Sequence, residues 1–154
     1  MYLHQQYAFV RSSRQVLLEY CQQISQADLL KENSSFGRGS IRNLLVHIGN
    51  TYQFWIGKHG LNLTINFTPY HSINAISEVD SLFSGIDFLV EKFITLFSEK
   101  PLEEFILEIN GQPVTASPLK LFSHVITHEY HHKGQILSLS RHLGYIPVDT
   151  DIFR

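Results

Sequence analysis

A chain of 154 residues, 44% of them hydrophobic, is long enough to bury a core, and one domain spanning residues 1–154 is the simplest expectation. Its formal charge of −2, with lysine and arginine scattered singly, offers no basic face for nucleic acid and no acidic tail. The single cysteine, Cys21, excludes an internal disulfide and fits a reducing cytosol. Because no apolar run reaches the ~20 residues of a membrane span and Met1 to Arg14 lacks an apolar signal-peptide core, a cytoplasmic protein is expected.

Leu3 to Lys31 reads as one long helix, with Val10, Leu17, Leu18, Cys21 and Ile24 at helical spacing and neither proline nor glycine to interrupt it. Within that pattern Cys21 is a small core hydrophobe rather than a nucleophile. Asn33 to Gly39 is loop chemistry, and Ser40 is a natural N-cap for a second helix running from Ile41 to about Lys58 and stopping near Gly60. Its stripe is Ile41, Leu44, Leu45, Ile48, Tyr52 and Trp55, with His47 at one edge. Leu61 to Ser72 reads as a connection.

A third helix, about Ile73 to Glu99, alternates steps of three and four through Ile76, Val79, Phe83, Ile86, Val90, Phe93 and Phe97. It carries no histidine and supplies wall. The period then changes. Phe105 to Ile109, Asn110-Gly111 and Gln112 to Thr115 predict a hairpin with a tight turn. Ser117 caps a fourth helix with Pro118 in its first turn, ending near Leu143, where Gly144 is the C′ residue and Pro147 forbids continuation. The tail after it carries Ile152 and Phe153, expected to dock on the bundle. The fold class is therefore all-α, a four-helix bundle with a short β-hairpin before the last helix, and the long links allow crossover connections.

The fourth helix holds the chemistry, in His124-Val125-Ile126-Thr127-His128-Glu129-Tyr130-His131-His132. On a helical wheel His132 falls inside the arc of Leu121, Val125, Ile136 and Leu139, and His128 lies at its border. His124, His131 and His142 fall on the solvent side. Two imidazoles four residues apart share a face and can hold one metal ion, and His47 on the second helix is the candidate third ligand. Three core-facing imidazoles without such a role would be costly to bury.

The same run spells His128-Glu129-x-x-His132, the zinc-protease motif with glutamate as general base. No later glutamate supplies its third ligand, and Gln135 and Ser138 do not match its extended form. Glu129 is expected instead to brace a ligand from behind, or to pair with Lys133 one turn on.

Taken together, Leu44-Leu45-Val46-His47-Ile48, His128-x-x-x-His132-Lys133-Gly134-Gln135-Ile136 and Gly144-Tyr145-Ile146-Pro147-x-Asp149-Thr150-Asp151 resemble the DinB/YfiT-like metalloenzymes over nearly the whole chain. Members of that family usually have arginine where Lys133 stands. The resemblance implies a four-helix bundle holding Zn²⁺ or Ni²⁺ on His47, His128 and His132, often as a homodimer. Characterised relatives include bacillithiol-using S-transferases and mycothiol-dependent isomerases, and related domains in sulfoxide synthases bind iron.

The activity expected on this basis is S-transfer. A small thiol, bacillithiol-like, becomes a thiolate at the metal and attacks an electrophilic substrate. Two alternatives use the same atoms. One is a metal-dependent hydrolase working through metal-bound hydroxide. The other is a non-catalytic metal-binding or stress-response protein, its fourth position closed by a side chain such as Asp149 or Asp151.

Overall fold

The computed structural model describes residues 2–154. Its elements are α1 (Tyr2–Cys21), α2 (Gln26–Leu30), α3 (Ile41–Tyr52) continuing as a π-helix (Gln53–Gly60), α4 (Ile76–Phe97), β1 (Phe105–Ile109), β2 (Gln112–Ala116) and α5 (Pro118–His142). The expected periodicity lies inward. Val10, Leu17 and Cys21 of α1, Leu44, Leu45, Ile48 and Tyr52 of α3, Val79, Phe83, Ile86, Val90 and Phe93 of α4, and Leu121, Val125, Ile136 and Leu139 of α5 are all buried in one core. Each such side chain contributes ~1.5–3 kcal/mol on burial. Burial also pushes the Cys21 thiol up to about 12, which makes it inert, as expected for a core residue.

Side-chain pairs fix the helix directions. Ser13 meets Lys133 and Tyr20 meets Ser140, so α1 and α5 run parallel. His4 meets Glu91 and Tyr7 meets Asp87, so α4 runs against α1. Leu82 lies against Gly49, Leu89 against Gly57 and Phe93 against Gly60, so α3 and its π extension run parallel to α4. The order is therefore up, down, down, up. A parallel α3–α4 pair requires the intervening strap, residues 61–75, to climb back along the bundle, which is the crossover that the long link allowed.

Three boundaries differ from the expectation. The first helix does not run on to Lys31. It stops at Cys21, and Ser25 caps α2 by accepting the Asp28 N–H while its own N–H donates to the Tyr145 hydroxyl, bonds a continuous helix could not make. The second helix changes from α to π at Gln53. The third expected helix, α4, starts at Ile76 rather than Ile73, because Glu78 reaches back to the backbone N–H of Asn74 at 2.6 Å and of Ala75 at 2.9 Å and closes the first turn there.

The hairpin forms as read, with Asn110 at φ 52° and Gly111 at φ 74° supplying the two left-handed residues of the turn and Phe105 opposite Ala116. A two-stranded ribbon needs support. It comes from Leu107, which is buried, and from Phe105, whose ring stacks on Phe97 with centroids 6.5 Å apart. At the end of α5, Gly144 (φ 94°) allows the Tyr145 and Gly144 N–H groups to bond the Ser140 and Arg141 carbonyls. The tail docks through polar groups and not through its apolar residues. Ser13 donates to the Thr150 carbonyl and Arg154 to Ser12, whereas Phe153 is 95% exposed. Among the described residues no helix is long and apolar enough to cross a membrane.

Candidate metal centre

Because α3 and α5 run antiparallel, His47 faces His132 and His128, Thr51 faces His128, and Trp55 faces His124. The three expected imidazoles meet. His128 Nε2 stands 3.1 Å from His47 Nε2 and 3.0 Å from His132 Nε2, and one ligand atom from each lies within 4.8 Å of the others. Nitrogens bound at about 2.0–2.1 Å in a tetrahedral site stand about 3.3 Å apart, so His128 is close to that spacing from each of the other two. Among the described residues this is the group able to hold a metal, and it contains no carboxylate. Asp149 and Asp151 are not part of it. They are exposed, and the Asp149 carboxylate accepts the Asp151 N–H at 2.8 Å.

The imidazoles are held neutral, the state a metal requires. Burial, then the Arg38 charge and His132, brings His47 down to about 4. Burial, then His132 and His47, brings His128 down to about 3. Burial lowers His132 as well, against the opposing pull of its hydrogen bond to Gln135.

That bond settles which nitrogen of His132 is free. The Gln135 carbonyl oxygen lies 2.7 Å from Nδ1 and can only accept, so the proton sits on Nδ1 and Nε2 presents its lone pair. The Gln135 amide nitrogen in turn lies 3.2 Å from Nε2 of the exposed His131. Gln135 thus braces the candidate ligand His132 from behind, the arrangement usual for metal-binding histidines. His128 has no such brace: among the described residues its buried Nδ1 has no partner.

Glu129 does not brace a ligand, contrary to the expectation. It is 1% exposed, and its carboxylate is taken by Arg14 at 3.0 and 2.8 Å, by the Tyr52 hydroxyl at 2.7 Å and by Lys133 at 3.7 Å, the last being the expected pairing. One step along the helix, 100° of rotation turns it away from the histidines and into the bundle. His124, His131 and His142 are exposed, as the wheel placed them.

A cavity of about 430 Å³ opens on the centre. His47, His128 and Thr51 line it together with Phe54, Trp55, Phe67 of the strap and Arg38, whereas His132 does not. A larger cleft of about 500 Å³ between α1 and α4 holds Arg11, Asp80 and Asp87 but no histidine.

The model of the DinB family matches residues 1–154. The chain belongs to the DinB family. It is also similar to the uncharacterized protein YizA of Bacillus subtilis (strain 168), 27% identical over 137 residues that cover 85% of this chain and 81% of that one. Membership of the DinB family and the three-histidine group together fit a divalent metal ion.

Sequence reasoning passed over four residues of this DinB-family site. Gln135 was readable, being three residues after His132 and so on the same face. Arg38 and Phe67 arrive from loops, where no periodicity points. Trp55 was assigned to the core stripe, but the wider π turn brings it beside Phe54 at the cavity.

Proposed function

We propose that the chain is a metal-dependent S-transferase whose site joins a small thiol to an electrophilic organic substrate. His47, His128 and His132 would hold Zn²⁺ or Ni²⁺ through Nε2. The bound ion supplies Lewis acidity, which lowers the pKa of a thiol and makes it available as the thiolate at neutral pH. The thiol proton leaves to solvent. A sulfur–carbon bond forms as the bond to the leaving group breaks, and that group departs with the electron pair.

The protein's own groups do the positioning. Gln135 fixes the tautomer of His132, and the depressed histidines keep their lone pairs free of protons. The Thr51 hydroxyl donates to the His47 carbonyl at 2.8 Å and leaves its lone pairs turned toward the site, 3.5 Å from His128 Nε2. Phe54 and Trp55 limit water at the reacting atoms. Bacillithiol-like thiols are the class this reading favours, with the protein acting in the cytoplasm.

The observation that carries the reading is a group of three neutral imidazoles, two of which, His47 and His128, line a cavity, with no carboxylate or cysteine joining the group among the described residues. A purely structural site would close its fourth position. The test is to load the protein with Zn²⁺ or Ni²⁺, measure metal per chain, and follow loss of a small thiol in the presence of a generic alkylating electrophile. Activity that requires metal and disappears in His132→Ala is expected. Equal turnover by wild type and His132→Ala would overturn the reading.

A further inference from the structure

Arg38 lines the cavity and has no acidic partner among the described residues. Arg11 and Arg14 are paired with Asp87, Arg42 donates to the Ile73 carbonyl and Arg154 to Ser12. Among the described residues no carboxylate lies within 4.0 Å of the Arg38 guanidinium. Arg141, exposed at the end of α5, likewise has no acidic partner among the described residues; Arg38, also exposed, differs in lining a cavity, where it is the charged residue.

Its backbone is tied down. The Asn43 amide donates to the Arg38 carbonyl at 2.8 Å, the Gly39 N–H to Phe36 at 2.8 Å and the Asn33 N–H to Gly39 at 2.6 Å. Gly39, at φ 82°, makes the turn possible. The guanidinium is therefore presented from a fixed base.

Two separate devices bring aromatic rings into the same cavity lining. The π-helix places Phe54 and Trp55 side by side, with centroids 5.0 Å apart and rings at 88°. The strap brings in Phe67, 43% exposed and 6.3 Å from Phe54. Asn50 holds the strap there by a two-way bond with Thr68, 2.9 Å to its N–H and 2.9 Å to its carbonyl. A volume of about 430 Å³ lies within the ~300–1,000 Å³ of small-molecule sites. One cation and three aromatic rings lining the same cavity as His47 and His128 suit a ligand with one negative charge and a flat apolar body.

We propose that Arg38, Phe54, Trp55 and Phe67 form the subsite for the electrophilic substrate, and that this substrate is a small organic anion with a planar apolar body. The proposal rests on the transfer reading above. Arg38 takes the charge, the rings take the body, and the reacting carbon is left toward His47 and His128.

Trp55 is the only tryptophan in the chain, so emission excited at 295 nm reports this cavity alone. The probes are benzenesulfonate and its neutral isostere methyl phenyl sulfone, both poor metal ligands. Each is titrated into wild type, Arg38→Ala, Arg38→Lys and Phe67→Ala, in zinc-loaded and metal-free form, with far-UV circular dichroism confirming the fold. Benzenesulfonate is expected to bind wild type at least tenfold more tightly than the sulfone. Arg38→Ala abolishes that preference, Arg38→Lys keeps part of it, and Phe67→Ala weakens both probes alike. Equal affinity for the two probes, an unchanged preference in Arg38→Ala, or no binding of either overturns the proposal. Zinc content is measured on the same samples. A preference that survives where zinc does not bind removes the transfer reading and leaves the subsite standing, and zinc binding without a preference does the reverse.

Discussion

The guanidinium of Arg14 and the carboxylate of Glu129 meet edge to edge, Nε 3.0 Å from Oε1 and Nη2 2.8 Å from Oε2, with 4% and 1% of the side chains exposed. Asp87 accepts from Arg14 at 2.7 Å, and Tyr52 donates to Glu129 at 2.7 Å. One buried pair therefore reaches all four long helices, α1 through Arg14, α3 through Tyr52, α4 through Asp87 and α5 through Glu129. Burial pushes the Glu129 carboxyl up, but the Arg14 charge and hydrogen bonds outweigh it and hold the group below the usual carboxylate range. Glu129 follows directly after a proposed ligand, yet its oxygens are committed to the core.

Breaking that pair should unfold the protein before it disturbs the metal. Arg14→Met leaves the Glu129 charge in the core with only Lys133, 3.7 Å away, to balance it. A loss of about 3–5 kcal/mol is expected, measured as a lowered urea midpoint at unchanged slope. Glu129→Gln is expected to lose stability too, while its folded fraction binds as much zinc per chain as wild type. A folded Glu129→Gln protein of wild-type stability that had lost metal would reverse the assignment and make Glu129 part of the site.

Gln135→Leu tests the brace. The His132 Nδ1–H loses its acceptor at 2.7 Å, so the ring is free to turn and the neutral tautomer is no longer fixed. Zinc affinity should fall about 10–100-fold with little change in thermal midpoint, because Gln135 is only half-buried. Competition with a chromophoric chelator gives the number. An affinity equal to wild type would mean that the hydrogen bond does not orient the ligand.

Two pH dependences follow from the depressed histidines. An unfolded imidazole titrates near 6.5, whereas the metal-free fold holds His47 at about 4 and His128 at about 3. As pH falls from 6.5 toward 4, the unfolded chain takes up protons that the fold refuses, so stability declines through that window. Urea midpoints of metal-free protein at pH 7.5, 6 and 4.5 should fall in that order, and less steeply in His128→Leu. Metal binding, by contrast, should resist acid better than ordinary imidazoles would. Two ligands of ordinary pKa would lose roughly 100-fold in zinc affinity per pH unit below 6.5. Here the loss should be shallower than that, because burial already keeps protons off His47 and His128 through that range.

Much of this was legible in the residues, for a definite reason. The three histidines were found because helical periodicity assigns a residue to a face without knowledge of its partners, and His47, His128 and His132 all sit where the period places them. The hairpin was readable because Asn110-Gly111 is a local conformational requirement. What stayed hidden depends on contacts distant in sequence. Arg14 looked like one more scattered charge, since its partners lie 73 and 115 residues away. The break at Ser25 depends on Tyr145, 120 residues on, and Phe67 reaches the cavity only because α3 and α4 run parallel and the strap must cross over. The π-helix leaves no trace in a pattern that α-helix explains equally well.

That π-helix supplies the last prediction, through two glycines of opposite behaviour. A Cβ on Gly60 would come within 2.6 Å of Phe93 Cε2 and 3.3 Å of the Trp55 carbonyl. Phe93 is fully buried and cannot withdraw without moving the core, so Gly60→Ala should cost about 1–3 kcal/mol and shift Trp55 emission. Gly134 lies mid-helix in α5, directly after Lys133 in the histidine signature, and a Cβ there meets nothing within 4 Å. Gly134→Ala should therefore stabilise the helix by up to about 1 kcal/mol and leave Trp55 emission in place. Thermal and urea unfolding of the two variants side by side decides it. If Gly60→Ala is as benign as Gly134→Ala, α3 does not pass into a tight π turn against α4, and the placing of Trp55 at the cavity fails with it.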